Sequence, residues 1–165
     1  MTRRLALIVL LALGGCGLQP VYSGGAHGIA ATTLGDIEVA PIPDRAGYLL
    51  RTALRERLGG SSGPPRFRLE VELSDEILGF GLRGDNSISR ERRTLRARYR
   101  LVSVATGAVL IDDTAGSDAG IDRVSSDYAV VAAETTALER LSIEVARQIG
   151  ARLAQAAHAG KLPPP

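Results

Sequence analysis

Hydrophobic and polar positions alternate most regularly over residues 66–74 (RFRLEVELS), where Phe67, Leu69, Val71 and Leu73 are interleaved with Arg66, Arg68, Glu70 and Glu72. Period two marks a strand with one buried and one wet face. A second such run covers about residues 88–104, with Leu95, Ala97, Tyr99 and Leu101 on odd positions and Arg90, Arg92, Arg96, Arg98 and Arg100 on even ones. Between the two lies Gly84-Asp85-Asn86, which supplies the residues a hairpin loop needs for positive φ. If both apolar sets face one core, odd positions must oppose odd positions. A three-residue loop at 84–86 meets that condition and sets Glu70 opposite Arg100 and Glu72 opposite Arg98. Leu78, Phe80 and Leu82 break the pattern by falling on even positions, which predicts a bulge or twist near Asp75 to Ile77. Ala105-Thr106-Gly107 makes the next turn, Val109 and Ile111 begin a third hairpin strand, and the Asp- and Gly-rich stretch 112–122 reads as a loop.

Two segments carry the longer helical period. Ile37 to Val39 is a short strand ended by Pro41 and Pro43; after it, Asp44 stands at an N-cap position and Leu50, Leu54 and Leu58 recur four apart until Gly59-Gly60. Near the C-terminus, Ser125 or Ser126 can cap a helix whose apolar stripe is Val131, Leu138, Leu141, Val145, Ile149 and Leu153. At about 30 residues and 1.5 Å per residue this helix is on the order of 45 Å long. The expected fold is therefore α+β: a two-layer sandwich with a mainly antiparallel sheet of about four strands and two helices on one face. The domain is expected over residues 36–158, followed by a disordered tail at 159–165 that ends in KLPPP.

The N-terminus follows a different logic. Arg3 and Arg4 precede an apolar run, Leu5 to Leu13, and then Gly14-Gly15-Cys16, with Cys16 the chain's single cysteine. A charged start, a short greasy core and small residues at its end are the parts of a secretory signal, and the core is too short to remain as a membrane-spanning helix. Leu13-Gly14-Gly15-Cys16 further resembles the lipobox of bacterial lipoproteins, which implies cleavage after residue 15 and acylation of Cys16 with fatty acyl chains such as palmitate. Each buried methylene contributes about 0.8 kcal/mol, so several chains make a stable anchor. Residues 1–15 are thus read as signal peptide and 16–35, rich in Gly and Ala, as a lipidated tether. Gly17 stands where an aspartate would favour inner-membrane retention in such lipoproteins, so delivery to the outer membrane, on its periplasmic side, is expected.

Cleavage changes the charge balance. The chain has 20 Lys+Arg against 18 Asp+Glu, and loss of Arg3 and Arg4 leaves 18 against 18. What remains is segregation: residues 83–100 are strongly basic and residues 112–134 strongly acidic. Aromatic residues make up only 4% of the chain and tryptophan is absent, which leaves few stacking platforms, and no nucleic-acid partner is expected. His27 and His158 are remote from any matching carboxylate or thiol, the glycine-containing segments lack the lysine of a phosphate loop, and Asp112-Asp113 lacks EF-hand spacing. No catalytic residue, metal or cofactor is expected; binding or assembly is.

The segment Cys16-Gly17-Leu18-Gln19-Pro20-Val21-Tyr22 in its lipobox context, Ile37 to Val39 leading to Asp44-Arg45 and the leucine-rich helix, Arg98-Tyr99-Arg100-Leu101 before Thr106-Gly107, and Ser126-Asp127-Tyr128-Ala129 together resemble the LPS-assembly lipoprotein family, LptE, in a divergent branch. The resemblance runs over essentially the whole chain. It implies an outer-membrane lipoprotein that assists assembly of the LPS-transporting β-barrel LptD, plugs its lumen and contacts lipopolysaccharide (LPS) during insertion. It also gives the basic ribbon a meaning. Arg96, Arg98 and Arg100 are expected on the wet face, with Glu70 and Glu72 as partners. Arg90, Arg92 and Arg93, nearer the tip and beside Leu78, Phe80 and Leu82, are the candidates for contact with LPS phosphates, since guanidinium forks bind phosphate bidentately; the alternative for the same ribbon is docking against acidic loops of the barrel. The competing reading is an auxiliary lipoprotein of an ABC-type lipid transport system; the partner that co-purifies separates the two.

Overall fold

The computed structural model describes residues 33–60, 63–82 and 88–162. The signal segment, Cys16, most of the tether, the Gly84-Asp85-Asn86 turn and the last three prolines lie outside them. The elements are β1 (Ile37–Val39), α1 (Asp44–Leu58), β2 (Phe67–Leu82), β3 (Ile88–Ser103), β4 (Val109–Asp122) and α2 (Asp127–His158).

Alternation in β2 and β3 works as its period demands. Phe67, Leu69, Leu95, Ala97, Tyr99 and Leu101 are buried, while Arg68, Glu72, Arg96 and Arg98 on the opposite parity are exposed. The two strands pair antiparallel with Glu70 opposite Arg100 and Glu72 opposite Arg98, and the register runs without slip from Phe67↔Ser103 to Leu82↔Ile88. The bulge expected near residues 75–77 is not there. The irregularity sits at Gly81, which takes φ 77° and is left out of the ladder. Leu78 and Phe80 therefore stay on the same face as the even-numbered arginines.

β1 adds to β2 in parallel and β4 adds to β3 antiparallel, giving one four-stranded sheet in the order β1-β2-β3-β4. It is an α+β domain with a mostly antiparallel sheet and both helices on the odd-numbered face, α1 over β1 and β2, α2 over β3 and β4.

β4 departs most from expectation, because residues 112–122 are strand and not loop. Asp and Gly are poor strand formers, but β4 lies beside the arginine-rich β3. Arg98 donates Nε and NH2 to the two Asp112 oxygens at 3.0 and 2.8 Å, and Arg90 meets Asp122 at 3.1 Å. The basic and acidic segments are thus neighbouring strands that neutralise one another. Arg98 turns to β4, so Arg100 alone reaches Glu70 and Glu72, at 3.3 and 3.7 Å.

In α1, Leu50, Leu54 and Leu58 are all buried and Gly59 ends the helix at φ 76°. Pro43, not Asp44, holds the cap position; Asp44 is the first helical residue and has φ 64°. Gly47 lies so close to the preceding chain that a Cβ there would meet the Ile42 carbonyl oxygen at 2.6 Å. In α2, Ser126 caps by accepting from the Ala129 amide at 3.4 Å, and Leu138, Leu141, Val145, Ile149 and Leu153 are buried. The stripe begins at Val130 (4% exposed), whereas Val131 is 58% exposed. Two residues beyond the expected domain limits join the core, Leu34 in the segment read as tether and Leu162 in the segment read as tail.

Candidate functional site

The far end of the β2–β3–β4 ribbon holds the arginines singled out by the sequence, and strand parity divides them. Arg90 and Arg92 are even and lie on the face turned away from the helices, with Phe80 opposite Arg90 and Leu78 opposite Arg92. Leu78 is 63% and Phe80 43% exposed. The Arg92 guanidinium sits 5.5 Å from the centre of the Phe80 ring, a cation–π arrangement that holds the charge over the apolar surface. Each arginine has an acid from β4 beside it, Asp122 at 3.1 Å from Arg90 Nε and Asp118 at 3.8 Å from Arg92 Nε. All four side chains are more than half exposed, so these pairs are screened and weak. Two guanidinium groups and two large apolar side chains thus share one open surface.

Arg93 is odd and belongs elsewhere. It points to the helix side, is 12% exposed, donates Nε at 2.8 Å and NH2 to the two Asp75 oxygens, and donates NH1 to the Glu134 carbonyl at 2.8 Å. The carboxylate beside it raises its guanidinium above the ordinary value, against the opposing effect of burial. It ties β2, β3 and α2 together and is not presented with Arg90 and Arg92.

The sequence reading missed the acids that accompany these arginines. Asp118 and Asp122 sit at even spacing in a stretch read as loop, and that spacing was the available signal. It also missed Glu91, the one acid among the arginines of β3, whose odd number places it on the helix face, where it is 5% exposed and accepts from Arg123 at 2.7 Å. Farther along the sheet the Tyr99 hydroxyl lies 3.4 Å from Asp113 Oδ2, which also accepts from Arg152 at 2.8 Å. Burial pushes the Tyr99 phenol up to about 12, with the Asp113 charge adding to it. These are supporting contacts of a folded sheet.

Chemically, the tip can grip an anion with two guanidinium groups while an apolar chain lies on Leu78 and Phe80. Among the described residues no group of three His, Cys, Asp or Glu side chains could hold a metal ion, and no helix is long and apolar enough to cross a membrane.

The model of the LptE lipopolysaccharide-assembly family matches residues 34–153. No curated protein sequence matches the chain. Among solved structures, a candidate lipoprotein from Caulobacter crescentus superposes with a TM-score of 0.67 at 26% identity, over 78% of this chain and 96% of that one. Lipoprotein B from Nitrosomonas europaea (TM-score 0.58, 15% identity, 75% and 83% covered) and rare lipoprotein B from Shewanella oneidensis (0.53, 11%, 76% and 93%) share the fold. With the family model covering α1, the whole sheet and α2 as far as Leu153, the chain belongs to the LptE lipopolysaccharide-assembly family.

Proposed function

We propose that this protein is an outer-membrane lipoprotein, acylated on Cys16 and held on the periplasmic side, that assists assembly of the β-barrel LptD, occupies its lumen and contacts LPS on its way into the membrane. The observation that carries the LPS contact is the open face of the ribbon tip, where Arg90 and Arg92 stand beside Leu78 and Phe80. Lipid A offers phosphates next to acyl chains, and that surface offers guanidinium forks next to apolar side chains. Family membership supports the assembly role and the barrel as partner. Arg93, committed to Asp75 and Glu134, is left out of the proposed contact.

The test is a titration of the purified protein with LPS in mild detergent, with and without the pair Arg90→Glu and Arg92→Glu. The variant is expected to stay folded but melt a few degrees below the parent, because its carboxylates then face Asp122 and Asp118 of β4, to bind LPS more weakly, and to show the larger loss at low salt, where exposed charges are least screened. Co-purification of LptD with both proteins is expected to be retained. Equal LPS affinity would remove the two arginines from the LPS site.

A further inference from the structure

β1 ends the sheet, and among the described residues no strand pairs with its outer side. Asp36 O accepts from the Phe67 amide at 3.2 Å and the Ala40 amide donates to Leu69 O at 3.0 Å, so the even positions around β1 face β2. The main-chain groups of Ile37 and Val39 therefore face outward, along an edge that a further strand can extend. Arg51 Nε donates to the Val39 carbonyl at 3.2 Å and closes one end of that edge. A groove of about 580 Å³ runs beside it, walled by α1 and by the connection that follows α1.

The charged lining of the groove is balanced, Glu38 and Glu56 against Arg51 and Arg55, which suits an uncharged strand. Such a segment is next to it in the chain, since residues 17–32 contain no Asp, Glu, Lys or Arg. The described chain begins at Thr33, which is 2% exposed, and Gly35 already forms part of the groove wall, so the preceding residues join the domain at the mouth of the groove. We propose that residues 18–22 (LQPVY) add antiparallel to the open edge of β1 as a fifth strand, with Val21 opposite Ile37.

Residues 23–32, with Gly24, Gly25 and Gly28, are long enough to reverse the chain between the two strands. In this register Gln19 and Val21 turn their main-chain groups to β1, and Val21 shares the helix side with Ile37. Pro20, which has no amide to donate, turns its main chain outward, as a proline in an edge strand must. One residue of slip sets Pro20 opposite Ile37 and leaves the Ile37 carbonyl without a donor. The added strand fixes where residue 16 leaves the domain, at the end of β1. Val39 there is level with Leu69, and the ribbon tip at Leu82 lies about 40 Å farther along β2. Undocked, residues 17–32 would give a reach of about 55 Å. A lipid on Cys16 then holds the tip within a narrow range of distances from the membrane. The docking itself rests on the edge of β1 and is independent of the lipid and of what the tip binds.

Hydrogen exchange on the full chain in detergent micelles, together with disulfide capture in cells, tests it. The Ile37 and Val39 amides are expected to exchange about tenfold more slowly in the parent than in Val21→Pro, which removes an amide of the added strand and leaves the packed domain untouched. Pro20 falls opposite the exposed Glu38, so Pro20→Cys with Glu38→Cys is expected to form a disulfide that resists alkylation until reduced. Gln19→Cys with Glu38→Cys, on opposite faces, should keep both thiols open to alkylation. Equal exchange in the parent and Val21→Pro, or equal bridging by the two cysteine pairs, would overturn the proposal. Protection that appears only with LptD bound, or only as protein concentration rises, would also overturn it and give the groove to a strand of the barrel or of a second copy.

Discussion

Replacing Arg93 by alanine removes a clamp that spans three elements. The side chain is 12% exposed and makes a two-point contact with Asp75 of β2 and a 2.8 Å bond to the Glu134 carbonyl of α2. Hydrogen bonds to charged groups contribute about 1.5–3 kcal/mol each when removed from a protein interior, but Asp75 is 22% exposed and regains water once the arginine is gone. Lost packing of the arginine stem adds to the cost. The expected destabilisation is about 2–3 kcal/mol, or a fall in melting temperature of roughly 10 °C for a domain of this size. Arg90→Ala is the control, since its pair with Asp122 is 66% and 80% exposed and contributes at most about 0.5–1 kcal/mol. Equilibrium urea unfolding of the parent, both single variants, Asp75→Ala and the Arg93/Asp75 double variant measures the difference, with a coupling energy of about 1–2 kcal/mol expected between the two clamp residues. Arg93→Lys should recover little, because an ammonium cannot replace the planar fork. If Arg93→Ala and Arg90→Ala fall within about 0.5 kcal/mol of each other, the division of the arginines by strand parity is wrong.

Leu141 is 3% exposed in the stripe of α2, so Leu141→Asp buries an unpaired charge at several kcal/mol and should leave the domain unfolded or melting far below the parent by circular dichroism; an unchanged melt would mean that α2 is rotated. Gly47→Ala gains about 1 kcal/mol of helix propensity but places a Cβ 2.6 Å from the Ile42 carbonyl oxygen, and the clash with backbone should win, lowering stability by about 1–2 kcal/mol in a denaturant titration; a more stable variant would contradict the close approach. Tyr99 ionises near 12 when folded against 10 when unfolded, so its contribution is intact below pH 10 and lost as pH rises toward 12. Tyr99→Phe should flatten the fall of stability with pH in that window, and an unaltered slope would show that the phenol is accessible. Cys16→Ser should abolish fatty-acid labelling in cells, and label retained on the variant would place the lipid elsewhere.

Much of the sheet was present in the order of the residues. The parity of Phe67, Leu69, Leu95 and Tyr99 required an odd-to-odd hairpin, and together with a three-residue turn at 84–86 it set Glu70 opposite Arg100. The same parity assigned Arg93 to the helix side and Arg92 to the open side. The even positions of Leu78, Phe80 and Leu82 break that parity and point to a bulge near Asp75 to Ile77, which the unbroken register rules out. Single-chain patterning carries no instruction for an apolar residue whose proper place is an exposed patch. The leucine spacings of α1 and of the later turns of α2 were equally plain, since a stripe buried along its length keeps one period.

Tertiary structure alone decided the rest. Residues 112–122 show only a faint alternation of small and apolar odd positions and are rich in poor strand formers; they are strand because β3 supplies the ladder, its arginines lie beside Asp112, Asp118 and Asp122 on the open face, and Ala115 and Ile121 are buried on the other. Val130 rather than Val131 turns inward, in register with the buried Ala137 and Leu141, and one residue is a rotation of about 100°. Arg93 and the Glu134 carbonyl are 41 positions apart and meet only when α2 crosses β3. A local pattern records which face of an element is wet or dry, but pairing between distant charges depends on which elements become neighbours, and that is set by the packing of the whole sheet against both helices.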